Sequence, residues 1–290
     1  MSLNFKAIIL SIPLLLGITA CNDTSSNNNV IYTSFYPVYD LASRIIGNKY
    51  ELINLTPIGM EPHDYELTAR GVAKMIDSKA LFINGLGMEE WYTSLPNEVL
   101  NKTLILSDNI KTIKINNIED PHIWLNPINA IIEMNDIAQY MIEIDNLNKS
   151  YYEDNLIKAT QEFIELDIEL QAIAESLNNK YIVTSHAAFA YMCDRYGLKQ
   201  ISIKGLEPDD EPSAKTMEEI IRLIDEYHIT TIFSEEMVSQ EIATKIAQET
   251  GVNIDTLNPI EGLKEEDIGI KDYISIMKEN FNKIKEADNK

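Results

Sequence analysis

NKSYYEDNLIKATQEFIELDIELQAIAESLN, residues 148–178, carries the longest regular pattern in the chain. Tyr152, Leu156, Ala159, Phe163, Leu166, Leu170, Ile173 and Leu177 follow one another at spacings of 4, 3, 4, 3, 4, 3 and 4 residues, which places all eight on one face of a helix. There is no Gly or Pro inside the run to break it. At 1.5 Å per residue the helix would span roughly 46 Å. The opposite face, with Glu153, Asp154, Lys158, Glu162, Glu165 and Glu169, reads as solvated. The same seam would serve a two-stranded coiled coil. The sequences on either side need a surface to pack on, and they favour a rigid strut within a monomer.

Outward from that helix, both flanks alternate short β-rich runs with helical patterns. Before it come VIYTS (30–34), ELINL (51–55), ALFIN (80–84) and TLILS (103–107), separated by YDLASRII and TARGVAKMID and followed by INAIIEMNDIAQYMIEI. After it come YIVTS (181–185), a helix through Arg195, KQISI (199–203), a helix at 213–227, TTIFSE (230–235), a helix at 240–250, NIDTL (253–257) and a last helix near 267–286. Such alternation predicts parallel βαβ units. Its occurrence twice predicts an α/β fold of two parallel-sheet lobes, 30–146 and 180–290, joined by one long helix at 147–179. Asn84-Gly85-Leu86-Gly87 is only a fragment of a phosphate-binding loop, and no Gly-x-Ser-x-Gly elbow is present.

The N-terminus predicts export. Lys6 precedes an apolar run from Ala7 to Ala20, fourteen residues against the ~20 a bilayer span needs. Ile18-Thr19-Ala20-Cys21 resembles a bacterial lipobox, so 1–20 reads as a signal peptide and Cys21 as the lipid anchor holding the protein to the outer face of the cell membrane. Residues 21–29, rich in Ser and Asn, read as a flexible tether. The net charge of −22 argues against nucleic acid and against docking of the folded part on anionic lipid. The one other cysteine, Cys193, lies among apolar residues and reads as a buried inert thiol, with no disulfide framework.

Of four histidines, three stand at strand ends or in loops beside Pro, acid or Ser: His63 in EPHDYE, His122 in DPHIWL and His186 in TSHAAF. Ligands of parallel α/β sheets gather beyond the carboxyl ends of strands, and neutral imidazole suits zinc and its neighbours. His228, at a helix-to-strand junction, reads as structural. A closed site wants a fourth donor; Glu235, Glu236, Asp255 and Glu261 are candidates, and spacing does not choose among them.

The segments TSFYPVYDLASRIIG, GMEPHDYELTAR, LFINGLGMEEW, DPHIWLNP, VTSHAAFAYMCDRYGLKQ, GLEPDDEPSAKTMEEI and LNPIEGL run in order from residue 33 to 263. Together they resemble the substrate-binding lipoproteins of bacterial zinc and manganese ABC transporters. The resemblance implies two lobes joined by one long helix, one metal ion between them, a limited hinge motion, and delivery to a membrane permease with its ATPase. It implies His63, His122, His186 and Glu261 as metal ligands. Three nitrogen donors favour Zn2+ over the harder Mn2+. Many zinc-type relatives carry a His-rich loop before the second His; here that stretch is DNIKTIKINNIED, short and without His. The other readings are a manganese-binding homologue, a zinc-dependent hydrolase, which would need a general base and an open metal position, and an adhesin.

Overall fold

The structure, a computed structural model, describes residues 29–235 and 237–290. The signal segment, Cys21, the tether up to residue 28 and the candidate donor Glu236 lie outside the described residues.

The first half runs β1 (Val30–Thr33), α1 (Tyr36–Ile46), β2 (Glu51–Asn54), α2 (Ala69–Ile76), β3 (Ala80–Ile83), α3 (Asn97–Leu100), β4 (Thr103–Ile105), a hairpin of β5 (Lys114–Ile115) and β6 (Ile118–Glu119), and α4 (Pro127–Ile144). The strut is α5 (Lys149–Ser176). The second half runs β7 (Tyr181–Thr184), α6 (Ala190–Tyr196), β8 (Lys199–Ser202), α7 (Ala214–Glu226), β9 (Thr231–Ser234), α8 (Glu241–Thr250), β10 (Asn253–Thr256) and α9 (Tyr273–Asp288). The sheets order as β2-β1-β3-β4 and β10-β9-β7-β8, every neighbour parallel. Read from β8, the second sheet repeats the second-first-third-fourth order of the first. Each therefore has its topological switch point between its first and third strands, where a crevice opens at the strand carboxyl ends.

The strut's seam is buried as its spacing predicts: Tyr152, Ala159, Phe163, Leu166, Leu170 and Leu177 are all at most 5 % exposed. This face packs on α1, α4 and α9. The largest apolar core runs continuously from Ile31 and Leu41 of the first half through Phe163 to Phe189 and Phe281 of the second. Polar ties reinforce it. Arg44 of α1 bonds Asp40, Glu162 of the strut and Asp272 at the start of α9. Arg195 of α6 grips Asp167 of the strut, which also accepts the Tyr196 hydroxyl at 3.0 Å.

Two sequence expectations shift, and one stretch gains a structure. The last helix begins at Tyr273, not near 267. Gly269 is left-handed (φ 71°), and Asp272 with Ser275 forms a capping box that fixes the start. The strand at 103–107 ends at Ile105 and turns through Leu106–Asn109. The stretch without His is the β5–β6 hairpin, whose Asn116 and Asn117 (φ 53° and 69°) take the conformation a two-residue turn demands. Among the described residues no helix is long and apolar enough to cross a membrane.

One buried group in α4 works against the fold. Glu133 is fully buried and neither carboxyl oxygen has a hydrogen-bond partner among the described residues. Burial, helped by nearby Asp136, holds its carboxyl well above the usual range. Its proton is retained on folding, so the stability this gives is full below the unfolded value near 4.5 and is lost as pH rises through the folded value. Glu133→Met should therefore stabilise the protein by about 1–3 kcal/mol at pH 8. Thermal melts should show that gain shrinking toward pH 4; a pH-independent gain would mean that packing, not ionisation, is responsible.

Candidate metal centre

Four side chains converge between the halves. His63 stands on a short turn, Pro62–Asp64, between β2 and α2. His122 opens the turn Ile123–Leu125 that leads into α4, where Asn126 caps the helix by accepting from Ile128 N–H. His186 follows β7 directly, and Glu261 lies in the loop after β10. One donor atom from each of the four falls within 4.8 Å of the others. Glu261 Oε1 lies 3.0 Å from His122 Nε2, 3.7 Å from His186 Nε2 and 3.9 Å from His63 Nε2, and the Nε2 atoms of His122 and His186 are 3.3 Å apart. His122, His186 and Glu261 are buried. His63 Nε2 and Glu261 Oε1 are buried polar atoms without a hydrogen-bond partner, which is costly unless a further group satisfies them.

Every imidazole turns its other nitrogen to a carboxylate. His122 Nδ1 meets Asp120 Oδ1 at 2.6 Å, His186 Nδ1 meets Glu235 Oε1 at 2.7 Å, and His63 Nδ1 meets Glu207 Oε2 at 3.0 Å. Such partners fix the tautomer and leave Nε2 free for a cation. The three are unequal. Asp120 and Glu235 are buried, whereas the Glu207 side chain is 62 % exposed. Glu207 lies at the mouth of a cleft of about 380 Å3 lined also by His63, Met88, Ile118, Pro121 and Asp210.

Electrostatics assign the carboxyls different tasks. Burial opposes ionisation of Glu261, but His122 and His186 beside it hold it well below the usual range. Glu61, next to it, is pushed up to about 9 by burial and by the Glu261 charge. Glu261 is thus the anionic donor and Glu61 stays protonated, a division that two adjacent carboxyls need. Burial pulls the His122 and His186 imidazoles down, and Asp120, Glu235 and Glu261 outweigh it, so both end above their ordinary value. Glu207 is lowered by its bond to His63 despite partial burial.

The Glu261 loop is held tightly. Ile260, beside it, is left-handed (φ 64°), an arrangement that costs a β-branched residue about 1–3 kcal/mol. Its surroundings enforce it: Ile260 N–H donates to Asn258 Oδ1, Asn280 Nδ2 donates to the Asn258 carbonyl, and Trp124 Nε1 donates to the Pro259 carbonyl at 2.8 Å. Trp124 follows His122 by two residues, and its ring lies 5.3 Å from that imidazole, so one side chain braces two arms of the cluster.

Of the four candidates for a fourth donor, Glu261 joins the cluster and Glu235 backs His186. Asp255 sits on β10, bonded to Thr256 N–H. Asp120, Glu207, Glu61 and Trp124 were not singled out from the sequence. Asp120 had a local signal, its place two residues before a histidine; Glu207 had none, since it reaches His63 across 144 positions.

The fold and donor set define a two-lobed α/β protein with four candidate metal donors gathered between its halves. The chain belongs to the family described as zinc-uptake complex component A, periplasmic, whose pattern matches residues 31–287. It is 30 % identical to the high-affinity zinc uptake system protein ZnuA of Bacillus subtilis strain 168, over 94 % of each chain. It is 32 % identical to the zinc-binding lipoprotein AdcA of Streptococcus pneumoniae R6, matching 97 % of this chain but only 60 % of AdcA. Among solved structures, the laminin-binding protein Lmb of Streptococcus agalactiae, a bifunctional protein with adhesin and metal-transporting activity, superposes with a TM-score of 0.83 at 28 % identity, covering 89 % of this chain and 99 % of that one. Zn(II)-bound AdcA from S. pneumoniae superposes with 0.80 at 33 % identity, covering 91 % of this chain and 58 % of that one.

Proposed function

We propose that this chain is the extracytoplasmic zinc-capturing component of an uptake system, holding one Zn2+ through His63, His122, His186 and Glu261 and passing it to an ABC permease driven by a cytoplasmic ATPase. Residues 30–146 and 180–290 act as the two lobes, with 147–179 as the strut between them. The protein works as a monomer, tethered to the membrane through lipid on Cys21. The observation that carries this is the convergence of four donors within 4.8 Å, with all three imidazoles backed by carboxylates. Three nitrogens and one oxygen suit zinc better than manganese. Glu261 occupies the fourth place, which a hydrolytic zinc would keep for water.

Titrating the metal-free protein with Zn2+ should give one ion per chain, with Mn2+ a poor competitor. Absence of uptake, or equal retention of manganese, would reject the reading. The backing carboxylates give a graded prediction. Asp120→Asn and Glu235→Gln should each weaken zinc binding by about 10–100-fold. Glu207→Gln should cost under about tenfold, because water already competes at its exposed carboxylate. Rates of zinc loss to a chelator measure all three; a larger effect at Glu207 than at Asp120 would contradict the ranking.

A further inference from the structure

Building on the zinc reading above, we propose that Tyr191 is an interlobe clamp that positions His122 for the metal. Tyr191 lies in α6, five residues after His186, and its side chain is buried. Its hydroxyl leaves the second half of the molecule and bonds twice to the first. It accepts the Ile113 N–H at 3.0 Å and donates to the Asp120 carbonyl at 2.9 Å. Asp120 N–H in turn donates to the Ile113 carbonyl at 2.9 Å. One phenol therefore closes a ring of three hydrogen bonds at the base of the β5–β6 hairpin. The same Asp120 accepts through its carboxylate from the His122 backbone N–H at 2.9 Å and pairs with His122 Nδ1 at 2.6 Å. The phenol thus fixes the peptide whose own side chain sets the His122 ring. The hairpin it anchors forms one wall of the cleft through Ile115, Asn116, Ile118 and Glu119.

The bonding suits a clamp. The hydroxyl both gives and receives, and burial pushes its ionisation up to about 12, so it remains a donor through the physiological range. Phenylalanine would fill the same space and leave the Ile113 N–H and the Asp120 carbonyl without this partner, a loss concentrated at one arm of the metal site. Coupling between two events is reciprocal: if the clamp tightens zinc binding, zinc must tighten the clamp by the same factor.

Two measurements on the full chain test this. Tyr191→Phe should release zinc to a chelator about tenfold faster, the scale of other partners that orient metal-binding histidines. Combined with Asp120→Asn its effect should be largely redundant, because both act through one residue, while with Glu235→Gln it should be additive. Additivity in both pairs, or an unchanged release rate, would overturn the clamp. Should Tyr191→Phe fail to fold, the unmutated protein decides: zinc loading should slow hydrogen exchange of the Ile113 amide by a similar factor, and an unchanged rate would overturn the proposal. Failure of the unmutated protein to bind zinc would instead overturn the zinc reading, whereas normal binding with an indifferent Tyr191→Phe removes the clamp alone.

Discussion

His63→Ala combined with His186→Ala should abolish stoichiometric zinc capture at neutral pH. Buried four-donor zinc sites are worth about 10–16 kcal/mol in apparent binding energy, so each donor carries roughly 3 kcal/mol, or about two orders of magnitude in affinity. Losing two donors should cost on the order of 10^4-fold. The remaining pair, His122 and Glu261, are 3.0 Å apart and would offer a cation only one side of a coordination shell. The two changes differ in their further cost. His63 frees Glu207, which already faces solvent, whereas His186 strands Glu235, buried and left without its imidazole. His186→Ala alone should thus also lower the melting temperature of the metal-free protein, and His63→Ala alone should leave it nearly unchanged. His228→Ala is the control: that residue is exposed, left-handed at φ 51°, and outside the cluster. Competition titrations against a zinc chelator read all of these. A double variant that still binds one zinc with unaltered affinity would remove the cluster from consideration.

What could be read from the sequence follows the range of the interactions involved. The strut was legible because an eight-residue seam is a local, periodic signal, and the sheets because strand and helix patterns alternate within short windows. The three histidines were legible because each sits in a distinctive short motif after a strand or a proline. Their backing was not. Glu207 meets His63 only after the two halves pack, Glu235 meets His186 only once β7 and β9 lie side by side, and a carboxylate in an acidic chain gives no sign of which imidazole it will face. Tyr191 shows the same limit, since its position in α6 does not point to Asp120, 71 residues earlier. The left-handed Ile260 has only one local cue, Asn258 two residues before it, whose side chain accepts the Ile260 N–H. β-Branched residues avoid that conformation, and the long-range bonds from Asn280 and Trp124 that hold the loop there leave no mark in the sequence.

Zinc binding should release protons near pH 7 and strengthen with pH. In the metal-free protein, His122 and His186 are held above the ordinary value of 6.5: burial opposes this, and Asp120, Glu235 and Glu261 prevail. The stability they contribute without metal is full below 6.5 and fades as pH rises through their raised values. Glu261 behaves oppositely. Its depressed value contributes stability above 4.5 that is lost as pH falls through the folded value. Zinc needs the Nε2 lone pairs, so the imidazole protons must leave, and each displaced proton makes affinity rise about tenfold per pH unit while that group is still protonated. Titrations in two buffers of different ionisation enthalpy count the protons directly. Melting curves give the companion result. Free zinc at about 1,000 times the dissociation constant adds roughly 4 kcal/mol, which for a chain this size raises the melting temperature by about 10 °C. That gain should collapse toward pH 5, where protons win the imidazoles while Glu261 stays ionised. An affinity flat between about pH 5.5 and 7.5 would mean that the imidazoles are not the donors, because no histidine ligand escapes competition with protons in that range.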